Sequence, residues 1–427
     1  MTLRSHGVRA ATLLAGASLI VSCTPPSSAR PEAEAGVASR PYVVLVSLDA
    51  FRYDYIERYR PASLERLAAR GIAARALIPP FPSKTFPSHY TIATGLYPGH
   101  HGILSNTFYD PALGSWFRVK DTATVRDGRW YGGTPIWVAA EREGVRTSVY
   151  FWPGSEGAVQ GVRPSTWWSY RASVPDSVRV DASVAQLRLP PARRPHLVML
   201  YLTDVDDTTH KRGPDSPGTA VAVASIDRAL TRLVDGLARL PIADSVNVVV
   251  LSDHGMEDSP QERMLPLRPV LSAAGIDTTR VQMGDIGPVM SLWFDGDSAL
   301  ARRTLQALEG GLVHARAYAR GATPARWHMD GNARGGDVLV VAEPGYVVAR
   351  GAGDRVLDHA THGWDPVDSL MLGIFVAAGP QIRASGAIPS FESVHVYPFL
   401  ASLLRLARAP RSDGDPAVLA PHLQTER

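Results

Sequence analysis

The residues this chain lacks narrow its class before the residues it has. Among 427 residues there is one cysteine, Cys23, so no disulfide can form within the chain. Lysine is nearly absent: of 44 basic side chains only Lys84, Lys120 and Lys211 are lysines, a bias of composition rather than of function. No basic tract exists, and 44 basic against 41 acidic residues leave a formal charge of +3. Binding of a nucleic-acid polymer, or capture by a charged membrane surface, is therefore not expected. No internal repeat is found. The apolar share of 45% and charged share of 20% are ordinary for a globular protein. The length suffices for one large core with insertions, or for two domains.

The N-terminus reads as an export and tethering signal. Arg4 and Arg9 flank the start of the apolar run Ala10 to Val21, too short to cross a bilayer but fitting a secretory signal. The run closes on Leu19-Ile20-Val21-Ser22-Cys23, which is similar to a bacterial lipobox, and the sole cysteine falls where lipidation requires it. Residues 1–22 are thus expected to be a signal peptide, with Cys23 the lipid anchor to the membrane. Thr24, where aspartate would retain the protein at the inner membrane, suggests the outer membrane, facing the periplasm. Residues 23–40 follow as a lipidated, Pro- and Ser-rich disordered tether. Residues 41–405 are expected as the catalytic domain and 406–427 as a peripheral C-terminal tail.

Hydrophobic patterning sets the fold class. Tyr42 to Leu48 is continuously apolar and ends on Asp49, as a strand buried on both faces would be. His196 to Leu202 leads into Thr203-Asp204-Val205-Asp206-Asp207-Thr208-Thr209-His210, and Val246 to Leu251 into Ser252-Asp253-His254-Gly255. Asp337 to Ala342 and Leu372 to Ala377 are further β-rich runs. Helical spacing marks Ser63 to Arg70, Ala220 to Leu240 and Ala299 to Leu308. This alternation predicts an α/β fold, a central largely parallel sheet with helices on both faces. The Trp- and Gly-rich stretch Phe108 to Tyr170 is expected as a cap region inserted over the site.

Ligands of such sheets gather beyond the carboxyl ends of the strands, where Asp49, Asp206 and Asp253 stand. Asp206 and His210 are four apart, so a helical turn would put both on one face. Gly255 permits a sharp turn after Asp253-His254, and Thr361-His362-Gly363-Trp364 offers one more imidazole from a loop. Imidazole nitrogen and carboxylate oxygen suit zinc, and two zinc ions can clamp the attacking and leaving oxygens of a phosphoryl transfer. Singly, an aspartate at a strand end is most often a helix N-cap. It is the joint occurrence that carries the argument. In Phe81-Pro82-Ser83-Lys84-Thr85-Phe86-Pro87-Ser88-His89-Tyr90 the prolines exclude a helix interior at the start, and a helix is expected from Ser88 to a stop at Gly95. A hydroxyl at Thr85, just before that helix, would face free N–H groups where an anion such as a phosphate sits.

Asp49, Thr85-Phe86-Pro87-Ser88-His89, Asp206-x-x-x-His210, Asp253-His254-Gly255 and His362-Gly363 occur in the order of the alkaline phosphatase superfamily. More narrowly, the chain resembles the nucleotide pyrophosphatase/phosphodiesterase family. Gly95 to Ile103, Ser105 to Asp110, Phe151 to Ser155 and Val394 to Pro398 extend the likeness over about residues 41 to 405. The resemblance implies an alkaline-phosphatase-like fold and two Zn2+, one bound by Asp206, His210 and His362, the other by Asp49, Asp253, His254 and the Thr85 oxygen. It implies Thr85 as the nucleophile, forming a phospho-threonine, with Asn106 and the Thr85 N–H holding a non-bridging phosphate oxygen. Phe86 matches a residue that stacks on a nucleotide base, and Trp167 takes the place of its family partner. His328 matches a further family pattern and is expected to be structural. The implied substrate is a nucleotide or other phosphodiester small molecule.

Three other readings are weighed. Sulfatases of the superfamily need Cys or Ser in a pattern ending in Arg, which Thr85 to His89 does not provide. A phosphomonoesterase would use the same metals, and Arg118-Val119-Lys120 could supply the extra cations a dianion wants, or lie on an exposed hairpin. A surface-anchored, non-catalytic binding protein with a decayed site is disfavoured by the complete ligand set. With neutral Asn106 at the phosphate and no arginine evident beside it, diesters are expected over monoesters.

Overall fold

The apolar run that starts at Tyr42 becomes the middle of the molecule. The computed structural model describes residues 40–355 and 358–424. The expected signal peptide, Cys23 and the tether to residue 39 lie outside the described residues. Eight strands form the main sheet: β1 (Tyr42–Leu48), β2 (Gly71–Ala74), β3 (Thr147–Tyr150), β4 (Thr166–Trp168), β5 (Leu197–Leu202), β6 (Val246–Leu251), β7 (Phe375–Ala378) and β8 (Gly386–Ile388). Their order is β8-β2-β7-β6-β1-β5-β3-β4. β7 runs antiparallel to both neighbours, and every other pairing in this sheet is parallel. The fold is α/β and alkaline-phosphatase-like.

Helices cover both faces: α1 (Ala62–Ala69), α2 (Thr85–Thr94), α3 (Ile136–Arg142), α4 (Asp176–Leu187), α5 (Asp204–Arg212), α6 (Pro217–Ala238) and α7 (Val396–Leu403). Every residue of β1, β5 and β6 is therefore buried. Alternation divides them between two cores. Val43, Leu45, Met199 and Val249 join Tyr90, Ile92 and Leu400 on one side. Val44, Val46, Leu200 and Val250 join Leu64, Leu67, Ile226 and Leu230 on the other. α6 shows why such a helix forms. The Ser216 hydroxyl accepts the Thr219 N–H, Pro217 opens the first turn, and Val223, Ile226, Leu230, Leu233 and Leu237 make one buried stripe.

Four expectations change. α2 begins at Thr85 rather than Ser88. Pro87 falls in its first turn, where N–H groups lack intrahelical partners anyway, so the proline is tolerated. The stretch 108–170 is only partly a cap, because it also contributes α3, strand β3 and the edge strand β4. Those strands, of four and three residues, are too short to show a period. A second sheet was not foreseen: Gln282–Met283, Val289–Trp293, Val338–Ala342 and Ala315–Ala319 pair antiparallel. It closes its own core of Leu271, Leu292, Leu308 and Val340 with the helices Leu267–Ala273 and Ser298–Gly311. Finally, the segment after residue 406, though mostly exposed, is pinned to the domain at two points. Leu419 is buried in a main core, and Asp413 accepts the Tyr97 N–H at 2.8 Å.

Candidate active site

Parallel neighbours β1, β5 and β6 end side by side, so the residues that follow them converge. Asp49 comes directly after β1 and is buried. β6 leads through Ser252 to Asp253 and His254, and the chain then turns at Gly255. A Cβ there would lie 1.9 Å from the Leu370 carbonyl oxygen, so the turn requires glycine. β5 passes into α5, whose first turns put Asp206 Oδ1 3.3 Å from His210 Nε2. His362, on the loop after Thr361, stacks on the His254 ring at 3.6 Å and reaches within 4.0 Å of Asp206 Oδ1. The Thr85 hydroxyl, at the head of α2, lies 3.3 Å from His254 Nε2. Residues from five separate stretches of chain thus meet in one place.

Three imidazoles are oriented alike. His210 Nδ1 donates to the Ala360 carbonyl at 2.8 Å, His254 Nδ1 to Gly255 at 2.9 Å and His362 Nδ1 to Ser83 at 2.9 Å. Each ring therefore turns its Nε2 away from the backbone, and all three face the carboxylates. Backbone acceptors commonly fix metal-ligating histidines in this way. On the carboxylate side, Asp49 Oδ1, Asp206 Oδ1 and Asp253 Oδ2 are buried without a hydrogen-bond partner. Orphaned buried carboxylate oxygens are costly unless a cation satisfies them. Two groups have ligand atoms close enough to share an ion: Asp206, His210 and His362, and Asp49, Asp206 and His254. Asp253 Oδ2, 2.9 Å from His254 Nε2, extends the second. The donor set fits a borderline-soft divalent cation such as zinc.

The protein groups alone perturb one another strongly. Burial, with Asp206 and Asp253 nearby, holds the Asp49 carboxyl well above its ordinary range. Burial also opposes charge on Asp253, but His254 and His89 outweigh it and hold that carboxyl well below the usual range. For Asp206 burial is likewise overcome, chiefly by His210, so its carboxyl is lowered. Burial works against the His210 imidazolium, yet Asp206 pushes the ring up to about 9. His362 is pushed well down by burial and by its neighbours His254 and His210. Carboxylates and imidazoles with pKa values forced apart at the mouth of a cavity are the electrostatic mark of a functional site.

A cavity of about 340 Å3 opens over Thr85, Asn106, Asp49 and Asp206, with Phe86, Trp152 and Tyr170 among its walls. A larger open cleft of about 590 Å3 lies beside Arg212, Asp258 and His359, but none of the three orphan carboxylates lines it. Trp167 is not in the wall. It sits half-buried in β4 between Arg126 and Arg163, whose guanidinium carbons stand 5.9 and 5.4 Å from its ring. Tyr170, three residues on and past the end of β4, takes the wall position expected of Trp167. Of the candidate cations, Arg118 lies over the Trp116 ring at 5.1 Å, and exposed Lys120 alone reaches the cavity rim. His328 is remote, stacked on Tyr97 at 3.8 Å. Two further residues had been given no role: His89, and Tyr201, whose phenol donates to Asp49 Oδ2. Tyr170 lies just past the carboxyl end of β4, but that three-residue strand carries no signal in the sequence.

Comparison with known proteins places this geometry. The sequence profile described as type I phosphodiesterase / nucleotide pyrophosphatase matches residues 43–365. Venom phosphodiesterase 2 of Crotalus adamanteus is 32% identical over 90% of this chain and 48% of its own length. The chain therefore spans about half the length of such curated relatives. A pyrophosphatase/phosphodiesterase of Schizosaccharomyces pombe is 32% identical over 87% of this chain and 78% of its own. Among solved structures, human ectonucleotide pyrophosphatase / phosphodiesterase 5 superimposes with a TM-score of 0.84 at 28% identity, covering 90% of this chain and all of that one. The murine protein, as an inactive threonine-to-alanine variant in complex with AMP, superimposes with a TM-score of 0.83 at 28% identity.

Proposed function

The chain belongs to the type I phosphodiesterase / nucleotide pyrophosphatase family, and from that premise we propose that it hydrolyses phosphodiester or pyrophosphate bonds of nucleotide-type small molecules through a phospho-threonine at Thr85. The observation that carries this reading is the Thr85 hydroxyl at the head of α2, 3.3 Å from His254 Nε2 and beside three orphaned carboxylate oxygens. Asp206, His210 and His362 would hold one Zn2+, and Asp49, Asp253, His254 and the Thr85 oxygen a second. Bound there, the ions would lower the pKa of the hydroxyl, offset phosphate charge and stabilise the leaving oxygen.

The chain's own groups then account for the rest. Thr85 Oγ1 bonds to phosphorus as the bond from phosphorus to the leaving oxygen breaks, and the hydroxyl proton passes to solvent. The Asn106 amide is placed to donate to a non-bridging oxygen. Water next bonds to phosphorus as the bond to Thr85 Oγ1 breaks, which frees the phosphate monoester and restores the hydroxyl. Among the described residues, Lys120, on the exposed rim, is the one cation in the cavity wall, which suits the single charge of a diester better than a dianion. Phe86 and Tyr170 offer aromatic faces to the retained group. The AMP bound by the murine relative supports a nucleoside there. A decayed binding protein is disfavoured, because every candidate ligand is present and converges.

The test compares kcat/KM for a nucleotide diester and its matching monoester, with Thr85→Ala and Thr85→Ser alongside. Diesters should be preferred, Ala should lose most turnover while retaining zinc, and Ser should recover part of it. Near-normal turnover in Thr85→Ala would mean direct attack by water. A monoester turned over faster than its methyl diester would hand the site to the phosphatase reading. For location, the proposal is a lipoprotein held through Cys23 at the outer membrane, facing the periplasm. Cys23→Ala should release the protein from membranes, and unchanged association would rule the anchor out.

A further inference from the structure

His89 is fully buried beside the site, with one ring nitrogen turned to the backbone of Thr85 and the other to the Ser47 hydroxyl. It lies one turn after Thr85 on α2. Its Nδ1 stands 2.8 Å from the Thr85 carbonyl oxygen and 3.1 Å from Asp253 Oδ2. The Thr85 carbonyl oxygen can only accept, so Nδ1 carries the hydrogen. That hydrogen is directed at Thr85, and the approach to Asp253 is an electrostatic contact. The opposite nitrogen, Nε2, lies 2.8 Å from the Ser47 hydroxyl on β1, two residues before Asp49. Ser47 donates to it, which fixes the tautomer. Trp152 and Tyr201 clamp the ring edge-on at 5.0 and 4.9 Å, and Trp152 Nε1 donates to the His89 carbonyl at 3.1 Å.

The Nε2 atoms of His210, His254 and His362 face the carboxylate cluster, whereas that of His89 faces Ser47. It touches the backbone of the nucleophile on one side and a candidate ligand on the other. Asp253 Oδ1 is tied separately to the Ala50 N–H at 3.2 Å, so the His89 contact bears on the oxygen that faces His254. We propose that His89 is a positioning residue that locks the Thr85 turn to Asp253, setting where the hydroxyl stands relative to the ligand cluster. It makes no contact with substrate. The inference rests on Thr85 acting as the nucleophile. Misplacement of a reacting group by about 1 Å costs on the order of 10²-fold in rate, and loss of a group that orients a metal ligand costs about 10- to 100-fold in metal affinity.

The two amide substitutions separate positioning from space-filling. In His89→Asn the side-chain NH2 falls near the place of Nδ1 and can still reach Thr85 and Asp253. In His89→Gln it falls near the place of Nε2 and reaches Ser47 instead. The measurements are kcat and KM on a nucleotide diester, and zinc affinity by chelator competition on the full chain, with folding followed by Tm. His89→Ala should lose about 10²-fold in kcat with little change in KM, and should bind zinc about 10-fold more weakly. Asn should recover part of both losses, and Gln neither. Gln equal to or better than Asn, or Ala with normal kcat and normal zinc affinity, would overturn the proposal. If Ala does not fold, the order of Asn and Gln decides. Thr85→Ala is run in parallel. Turnover surviving there sinks the covalent reading, while the zinc affinities of Asn and Gln still test His89 separately.

Discussion

The side-chain carbonyl of Asn106 accepts the Phe86 N–H at 3.0 Å, and this one bond decides which half of the amide faces the cavity. With Oδ1 engaged, Nδ2 remains as a donor at the place a phosphate oxygen would occupy. Asn106→Ala should therefore lower kcat by about 10²- to 10³-fold, as removal of a transition-state donor does elsewhere. Asn106→Asp keeps the acceptor for Phe86 but places a negative charge against the phosphate, so it should be slower still. Aspartate matching or exceeding alanine in steady-state kcat would show that Nδ2 does not serve the phosphate.

Asp49, Asp206 and Asp253 crowd three buried, unpartnered oxygens into one cluster, so the folded state should depend on a cation to relieve them. Chelation should release about two zinc equivalents and lower the Tm, and added zinc should restore both. At a free zinc concentration a thousandfold above Kd, a single site contributes about 4 kcal/mol. Elemental analysis before and after chelation, with Tm on the same samples, makes the check. An unchanged Tm would mean that the cluster is satisfied without metal.

Tyr170, rather than Trp167, lies in the cavity wall with Phe86. Tyr170→Ala should raise KM for a nucleotide diester by about 5- to 150-fold, from a stacking contribution of about 1–3 kcal/mol per base. A small aryl diester should be affected less. Trp167→Ala should leave KM near the wild-type value, because its ring is spent on Arg126 and Arg163. The reverse order of effects on the two substrates would return the base to Trp167.

How much of this was legible in the sequence follows from the physics of each residue. β1 was readable because a strand buried on both faces must be apolar throughout, and Asp49, Asp206 and Asp253 followed from the rule about carboxyl ends. His362 sits in a loop with no period, so only its place in the motif order singled it out. The start of α2 was misplaced because Pro87 looks like a barrier, whereas in a first turn it is harmless. Trp167 and Tyr170 lie in one aromatic-rich stretch, and without knowing that β4 ends at Trp168 their directions cannot be told apart. Of the second sheet only Val338–Ala342 showed as a β-rich run, and its partners, of two to five residues, are too short for alternation to stand out.

His100 provides a pH test away from the cluster of candidate ligands. Its Nδ1 lies 2.6 Å from Asp413 Oδ2, and its Nε2 bonds to Asp330. Burial disfavours the imidazolium, but the hydrogen bonds to Asp413 and Asp330 outweigh it and raise the ring above its ordinary value. A raised pKa means that the folded state holds the proton more tightly than the unfolded chain does. The stabilisation is therefore fully present below the unfolded value of about 6.5, and is lost as pH rises through the raised folded value. The ring is 36% exposed, so solvent screens the pair and the effect should be modest. Asp413 also anchors the C-terminal segment, its N–H bonded to the Gly95 carbonyl at 2.8 Å, so loosening should begin there. The difference in Tm between wild type and His100→Asn should be positive at pH 6 and shrink above neutrality. Hydrogen exchange at the Asp413 amide should quicken over the same range in wild type and stay fast in the variant, once the intrinsic rise with pH is divided out. A Tm difference that stays flat across that window would show that His100 carries no proton linkage.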